Sequence, residues 1–375
     1  MKRIEFGNII IGETAKKHVK DCLDNNWISM GPKVAEFEKQ WQELFDYKHA
    51  RAVASGTAAG MACCMALYDF GANPGDEIIV PALSFIATAN AVRAAGFVPK
   101  FVDVKIDSMN IDEEQIEQAI NARTVAIKIV NLMGRPAELD KIQAIAIKHS
   151  LKVIVDNCEG YGSQFKGKYS LNYADMETSS HYTAHLICCA EGGMVSTNNA
   201  HIDECIESVR SHGRVGGKLY FDHVRFGLNL KMSDIHAAIG LGEIENFWQI
   251  FNKRRTNIRY LRKSLDGLED KAWFTEEEPN NVNCPHGFSI TLKPQYKEHI
   301  ALFQEFLDSC SIHWKRNFGS MPHHKAFSYL KRNDEFPNAK YIGDFGIHVG
   351  CHYYLSDIDL EYLSDKLKEF LQKLN

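Results

Sequence analysis

The chain has 375 residues, enough for one large and one smaller domain, and its 45% hydrophobic and 24% charged content is ordinary for a globular protein. A formal charge of −5 excludes the basic footprint of a nucleic-acid binder. Met1-Lys-Arg-Ile-Glu5 carries no apolar signal region, and no run approaches the roughly 18 apolar residues of a membrane span, so a cytoplasmic protein with no membrane partner is expected.

In chain order, the first 50 residues read as a helix followed by a turn punctuated at Gly31-Pro32. Ala52-Val-Ala-Ser-Gly-Thr-Ala-Ala-Gly60 reads as a strand, a tight turn and the start of a small-residue helix. Free N–H groups at such a helix start, with the hydroxyls of Ser55 and Thr57, suit an anion. Gly75–Pro81 is a buried strand, and Ala82–Phe85 leads into a helix. Strands at 98–104, 124–131 and 152–156 then alternate with helices at 112–120 and 139–149, and Met133-Gly-Arg-Pro136 forms a turn. Near-continuous apolar strands of this kind indicate a mostly parallel sheet covered on both faces, whose ligands bind at the carboxyl ends of the strands. Asp156 stands at such an end.

Thr178-Ser-Ser-His-Tyr-Thr-Ala-His185 reads as a strand that offers a hydroxyl at Ser180 and an imidazole five residues later, ahead of a Glu191-Gly-Gly turn and another strand-like run. Helices are expected over 204–212 and 235–244, with a loop at 213–217. A long polar helix near 251–265 bridges to a small α+β unit containing a strand from Gly287 and helices at 300–309 and 359–374. The units are therefore 1–245 and 246–375. The ten cysteines form no C-x-x-C pair and adjacent ones point apart, so reduced, mostly buried thiols and no metal site are expected.

Four kinds of group converge: an anion cradle at Ser55-Gly56-Thr57, an aromatic at Phe85, a carboxylate at Asp156, and the Ser180/His185 pair. A phosphorylated pyridine cofactor needs phosphate donors, a stacking partner, a carboxylate for the ring nitrogen and a base at its reactive carbon. Separately, each group has a plainer reading, as helix cap, core aromatic or packed histidine.

With Gly75-Asp-Glu-Ile-Ile-Val-Pro-Ala-Leu-Ser-Phe85, Met133-Gly-Arg-Pro136, Glu191-Gly-Gly193 and Asn229-Leu-Lys-Met-Ser-Asp234, the whole chain resembles the DegT/DnrJ/StrS sugar-nucleotide aminotransferases. That resemblance implies an α/β, fold-type-I, pyridoxal-phosphate-dependent architecture: a large, mostly parallel cofactor domain and a small C-terminal α+β domain. It implies that Gly56, Thr57 and Ser180 hold the phosphate and Phe85 stacks on the ring. Asp156 would pair with the ring nitrogen, Glu159 would lie near the ring hydroxyl, and Asn229 would reach the partner subunit's phosphate in a homodimer.

The family's aminotransferases carry a lysine where His185 stands, and imidazole cannot form that covalent link. Histidine there resembles the 3-dehydratases of 4-keto-6-deoxy sugar nucleotides, most closely those acting on GDP-4-keto-6-deoxymannose; Asp156-Asn-Cys-Glu159 and Phe345–His352 share the likeness. The implied activity removes the C3 hydroxyl with pyridoxamine phosphate, His185 moving the protons and glutamate restoring the amine. An iron–sulfur cluster is not implied, since 211–218 has no cysteine. His212, His313, Arg316, His323, His324 and His352 lie near where the family binds sugar and glutamate. An aminotransferase working without the usual lysine and a non-catalytic sugar-nucleotide-binding protein are the alternatives.

Overall fold

Residues 3–7, 9–215, 222–330 and 335–374 are described by a computed structural model. Two helices lead the chain, α1 (Glu13–Asp24) and α2 (Pro32–Phe45). Gly31-Pro32 starts a second helix where a turn alone was expected. Proline is well suited to a first helical position, because it lacks only an N–H that would be unpaired there anyway.

The large sheet contains β1 (His49–Val53), β2 (Glu77–Pro81), β3 (Val98–Val102), β4 (Thr124–Val130), β5 (Lys152–Asp156), β6 (Met176–Ser180) and β7 (Gly193–Thr197). Between them run α3 (Gly56–Ala66), α4 (Ala87–Ala94), α5 (Glu113–Ala119) and α6 (Leu139–Lys148). The strand order is β1-β7-β6-β5-β4-β2-β3, and only β7 runs against its neighbours. Alternate β2 residues serve opposite faces: Ile78 and Val80 pack with α3 and α4, Ile79 with α5 and α6. Burial on both faces explains why these strands read as unbroken apolar runs.

Beyond β7 come α7 (Ala200–Val209), α8 (Asp234–Ile244) and the long α9 (Phe247–Ser264). Gly216, Gly217 and Lys218, part of the expected loop, lie outside the described residues. The start of α9 packs on the large unit through Phe247 and Phe251, and its later turns pack on the small one through Ile258 and Leu261. The small unit adds β8 (Ala272–Phe274), β9 (Phe288–Leu292), α10 (Ile300–Ser309), β10 (Trp314–Arg316), α11 (Pro337–Phe345), β11 (Gly346–Val349) and α12 (Asp357–Leu371). Its antiparallel sheet runs β10-β11-β9-β8, and Ile4 from the far end of the chain joins its core and bridges to Ile312. Among the described residues no helix is long and apolar enough to cross a membrane.

Candidate active site

The carboxyl ends of β1, β2, β5 and β6 share one edge of the large sheet, and the start of antiparallel β7 meets it there: Gly193 faces both Val53 and Ser180. A cavity of about 540 Å³ opens along this edge and is closed over by β10, β11 and the segment before β9. Gly56, Thr57, Phe85, Asp156, Glu159, Ser180 and His185 all line it. Asn229 does not: it is exposed and bridged to Ser211. Arg316 is at the wall, whereas His212, His313, His323, His324 and His352 are not among the lining residues. Lys166, Lys168 and Lys231 are also absent from that wall.

At one end of the cavity the N-terminus of α3 meets the end of β6. The Ser55 hydroxyl caps the helix by accepting from Ala58 N at 3.1 Å, and the first turn is directed at the cavity. A Cβ on Gly56 would fall 2.8 Å from Ser180 Cβ and 3.0 Å from Cys158 Sγ, so only glycine lets the helix approach so closely. The result is a small anion cradle of backbone N–H groups and hydroxyls.

At the other end Asp156, 7% exposed, accepts from Thr88 Oγ1 at 2.9 Å and lies 3.4 Å from Lys128 Nζ. Burial alone would raise its pKa, but the Lys128 ammonium and the hydrogen bonds from Cys158 and Thr88 hold it below the usual value. Glu159 accepts from Met133 N at 2.8 Å and stands 3.5 Å from His286 Nε2; burial still pushes its carboxyl up to about 7. Phe85, 61% exposed at the mouth, has its ring 6.5 Å from that of Phe318.

His185 is not on a strand. β6 ends at Ser180, whose hydroxyl accepts from Tyr182 N at 3.4 Å, and the chain turns into a loop held by His181 N to Gly192 O and Cys189 N to His181 O. This local side-chain acceptor competes with the ladder and terminates it. The loop sets the His185 ring 5.3 Å from that of His286, with Arg254 Nη2 3.5 Å from the His185 carbonyl oxygen. His185 Nδ1 is sealed from solvent without a hydrogen-bond partner. Burial first and the Arg254 guanidinium second pull its pKa down to about 3, so the imidazole is neutral and able to accept a proton.

A phosphorylated pyridine suits this cavity. It brings an anion for the cradle, a ring nitrogen for the buried carboxylate and a reacting carbon for the His185 imidazole at the wall. Sequence reading missed Lys128, His286, Lys315 and His348, which line the same cavity. Lys128 carried a signal, a charge inside the apolar run Ala126-Ile-Lys-Ile-Val130. His286 and Lys315 lie more than 100 residues beyond Asp156 with no motif around them, and His348 lies inside the Phe345–His352 stretch without having been singled out.

The sheet order and cavity define an α/β enzyme fold of the pyridoxal-phosphate-dependent sugar aminotransferase kind. The chain belongs to the DegT/DnrJ/EryC1/StrS aminotransferase family, matched over residues 9–368. It is 30% identical to the GDP-4-keto-6-deoxy-D-mannose 3-dehydratase of Escherichia coli O55:H7, covering 94% of this chain and 96% of that one. It is 31% identical to the GDP-perosamine synthase of Escherichia coli O157:H7, covering 95% of each. A solved E. coli GDP-4-keto-6-deoxy-D-mannose-3-dehydratase with bound hydrated PLP superposes with a TM-score of 0.89 at 26% identity, over 98% of this chain and 100% of that one. Relatives of both activities thus share the fold.

Proposed function

We propose that this protein is a pyridoxamine-phosphate-dependent 3-dehydratase of a 4-keto-6-deoxy sugar nucleotide, with GDP-4-keto-6-deoxymannose as the favoured substrate. One observation carries the reading: the cavity residue five positions after Ser180 is an imidazole, not an amine. When bound, pyridoxamine phosphate supplies an amine for the sugar ketone and a ring that takes up electrons.

The Gly56 and Thr57 amides, with the Ser180 hydroxyl, bind the phosphate. Asp156 holds the ring nitrogen, Phe85 covers the ring and Glu159 faces the ring hydroxyl. The neutral His185 imidazole would take up the proton released from the carbon that carries the cofactor's amine and return it to the C3 hydroxyl oxygen as that oxygen leaves. A phosphate dianion and a substrate diphosphate in the cavity would raise the imidazole's proton affinity from its value in the empty protein. Glutamate restores the amine. Asn229, exposed on its own chain, would reach the phosphate in the other subunit of a homodimer.

Aminotransfer is the second reading, favoured by the 31% identity to GDP-perosamine synthase and by Lys315, a lysine that lines the cavity and has its amine 4.0 Å from the centre of the Phe6 ring. Borohydride separates the two. With pyridoxal phosphate bound, the dehydratase reading expects no cofactor fixed to the protein, and bleaching to the amine form on adding glutamate. Cofactor fixed on Lys315 would favour aminotransfer.

A further inference from the structure

Away from the cavity, a group of metal-ligating side chains among the described residues draws together at the opposite edge of the large sheet. It consists of Asp69, on the short helical turn Leu67–Phe70 that follows α3, with His201 and Cys205 on α7. Four residues apart, His201 and Cys205 share one face of that helix. The turn stands at the amino end of β5, where Lys152 Nζ lies 4.7 Å from the centre of the Phe70 ring, whereas Asp156 and the cavity are at the carboxyl end. His201 Nε2 is 4.0 Å from Asp69 Oδ2 and 4.0 Å from Cys205 Sγ, and the three ligand atoms all lie within 4.8 Å of one another. Cys205 is fully buried, yet its sulfur meets a His201 side chain that is 50% exposed, which gives an ion a path from solvent.

A second layer of groups holds these three. Glu204 Oε2 stands 4.0 Å from His201 Nδ1, so the ring nitrogen turned away from the cluster faces a carboxylate. That arrangement favours the tautomer with its proton on Nδ1 and its lone pair on Nε2, towards Asp69 and Cys205. Arg225 donates from Nε to Asp69 Oδ2 at 2.8 Å and from Nη2 to Glu204 Oε1 at 3.2 Å, fixing both carboxylates. A carboxylate accepts more than one partner, so Arg225 leaves Asp69 able to ligate. A surface ion-pair cluster would account for the charged groups, but not for a buried thiol and an imidazole nitrogen brought to the same carboxylate. With a divalent ion and a thiolate in place the charges balance, Asp69, Glu204 and Cys205 against Arg225 and the ion.

We propose that Asp69, His201 and Cys205 bind one divalent ion of the zinc class, with Glu204 and Arg225 holding the ligands from behind. Thiolate and imidazole ligands select zinc-like ions over magnesium or calcium, which prefer oxygen alone. Around a tetrahedral ion the ligand atoms stand about 3.5 Å apart, so the three close by about 1 Å or less, within reach of side-chain rotation. The metal–sulfur bond replaces the thiol's S–H bond, the proton passes to solvent, and a fourth position is left for water. The ion clamps the turn after α3 to α7 and, through Arg225, to the segment leading to α8. It takes no part in the chemistry of the cavity at the other edge. No short motif announces the site, because the cysteine's co-ligands are a histidine and an aspartate from a separate turn.

The test titrates the chelator-treated, cofactor-loaded protein with Co2+, a zinc substitute whose absorption bands report tetrahedral, thiolate-bound metal once the cofactor's own absorbance is subtracted. One equivalent per chain should bind, show strong visible bands and a thiolate-to-metal band, and be displaced by one equivalent of Zn2+. Cys205→Ser should abolish the thiolate band. His201→Gln, at a half-exposed position, should weaken Co2+ binding by about tenfold or more, and Glu204→Gln should weaken it less and retain the thiolate band. Absence of a thiolate band in the unaltered protein would overturn the proposal. So would a band retained by Cys205→Ser, which would place the metal on another of the ten cysteines, or an affinity unmoved by His201→Gln. If Cys205→Ser does not fold, His201→Gln decides alone.

Discussion

At the scale of single residues, the proposed chemistry depends on an imidazole where the family's aminotransferases carry an amine. His185→Lys is expected to let borohydride fix pyridoxal phosphate on residue 185, with loss of dehydration. His185→Asn keeps the cavity's shape but removes the base, and turnover should fall roughly 10²- to 10⁴-fold with cofactor affinity little changed. Absorbance of the reduced protein and steady-state rates check the pair of variants, and unchanged turnover in either would remove His185 from the chemistry. Ser180, Asp156 and His185 were legible because each sits at a strand end or within a short, dense motif. Lys128 was legible in principle, as a charge in an apolar strand, but its partner stands 28 residues away and only parallel pairing of β4 with β5 brings them together. His286 and Lys315 have no local signature, since what makes them cavity residues is the folding of the small unit over the large one.

At the scale of elements, α2 depends on a residue 200 positions downstream. The Asp234 carboxylate, 1% exposed at the start of α8, accepts from Gly31 N at 2.8 Å, Lys33 N at 3.1 Å and Val34 N at 3.0 Å. These are orphan donors of a helix N-terminus, where a negative charge is also favoured by the helix dipole. Asp234→Ala should cost roughly 1–3 kcal/mol by leaving those N–H groups unpaired. A lower urea midpoint with unaltered cofactor affinity is the expected result, and an unchanged midpoint would mean that α2 is held by packing alone. The alternation of strands and helices was readable from apolar periodicity, whereas strand direction and helix entry were not. Gly31-Pro32 can end one segment or begin another, and its acceptor is too distant in sequence to decide between them. The Ser180–His185 segment has a strand's composition, but the Ser180 hydroxyl ends the ladder and aims the histidine from a loop.

At the scale of the whole molecule, the cavity is made by two units meeting, and the seam is rich in buried imidazoles. Behind the cavity, in the core of the large unit, His181 is fully buried among Phe37, Trp41 and Tyr161 and has its pKa pulled from 6.5 down to about 3 by burial first and by His185 second. A base whose folded value is depressed takes up its proton on unfolding. Its contribution to stability is therefore full above about pH 6.5 and is lost as pH falls towards 3. Between pH 7 and pH 5.5 that ring alone should cost about 1 kcal/mol. Buried Glu177, raised to about 7 by burial, works in the opposite sense and loses stability as pH rises towards 7. His181→Phe retains the aromatic packing and removes the titration. Its thermal midpoint should fall less than that of the unaltered protein between pH 7 and pH 5.5, and an equal fall would show that His181 is not protonated on unfolding.

The central claim is that this chain removes oxygen from a sugar rather than adding nitrogen to it. Ammonia released from a GDP-linked 4-keto-6-deoxy sugar in the presence of glutamate and pyridoxal phosphate tests it most directly. The predicted result is one ammonia and one 2-oxoglutarate for each 3-deoxy keto sugar formed, and none of the three with His185→Asn. An amino sugar accumulating with 2-oxoglutarate but without ammonia would contradict it.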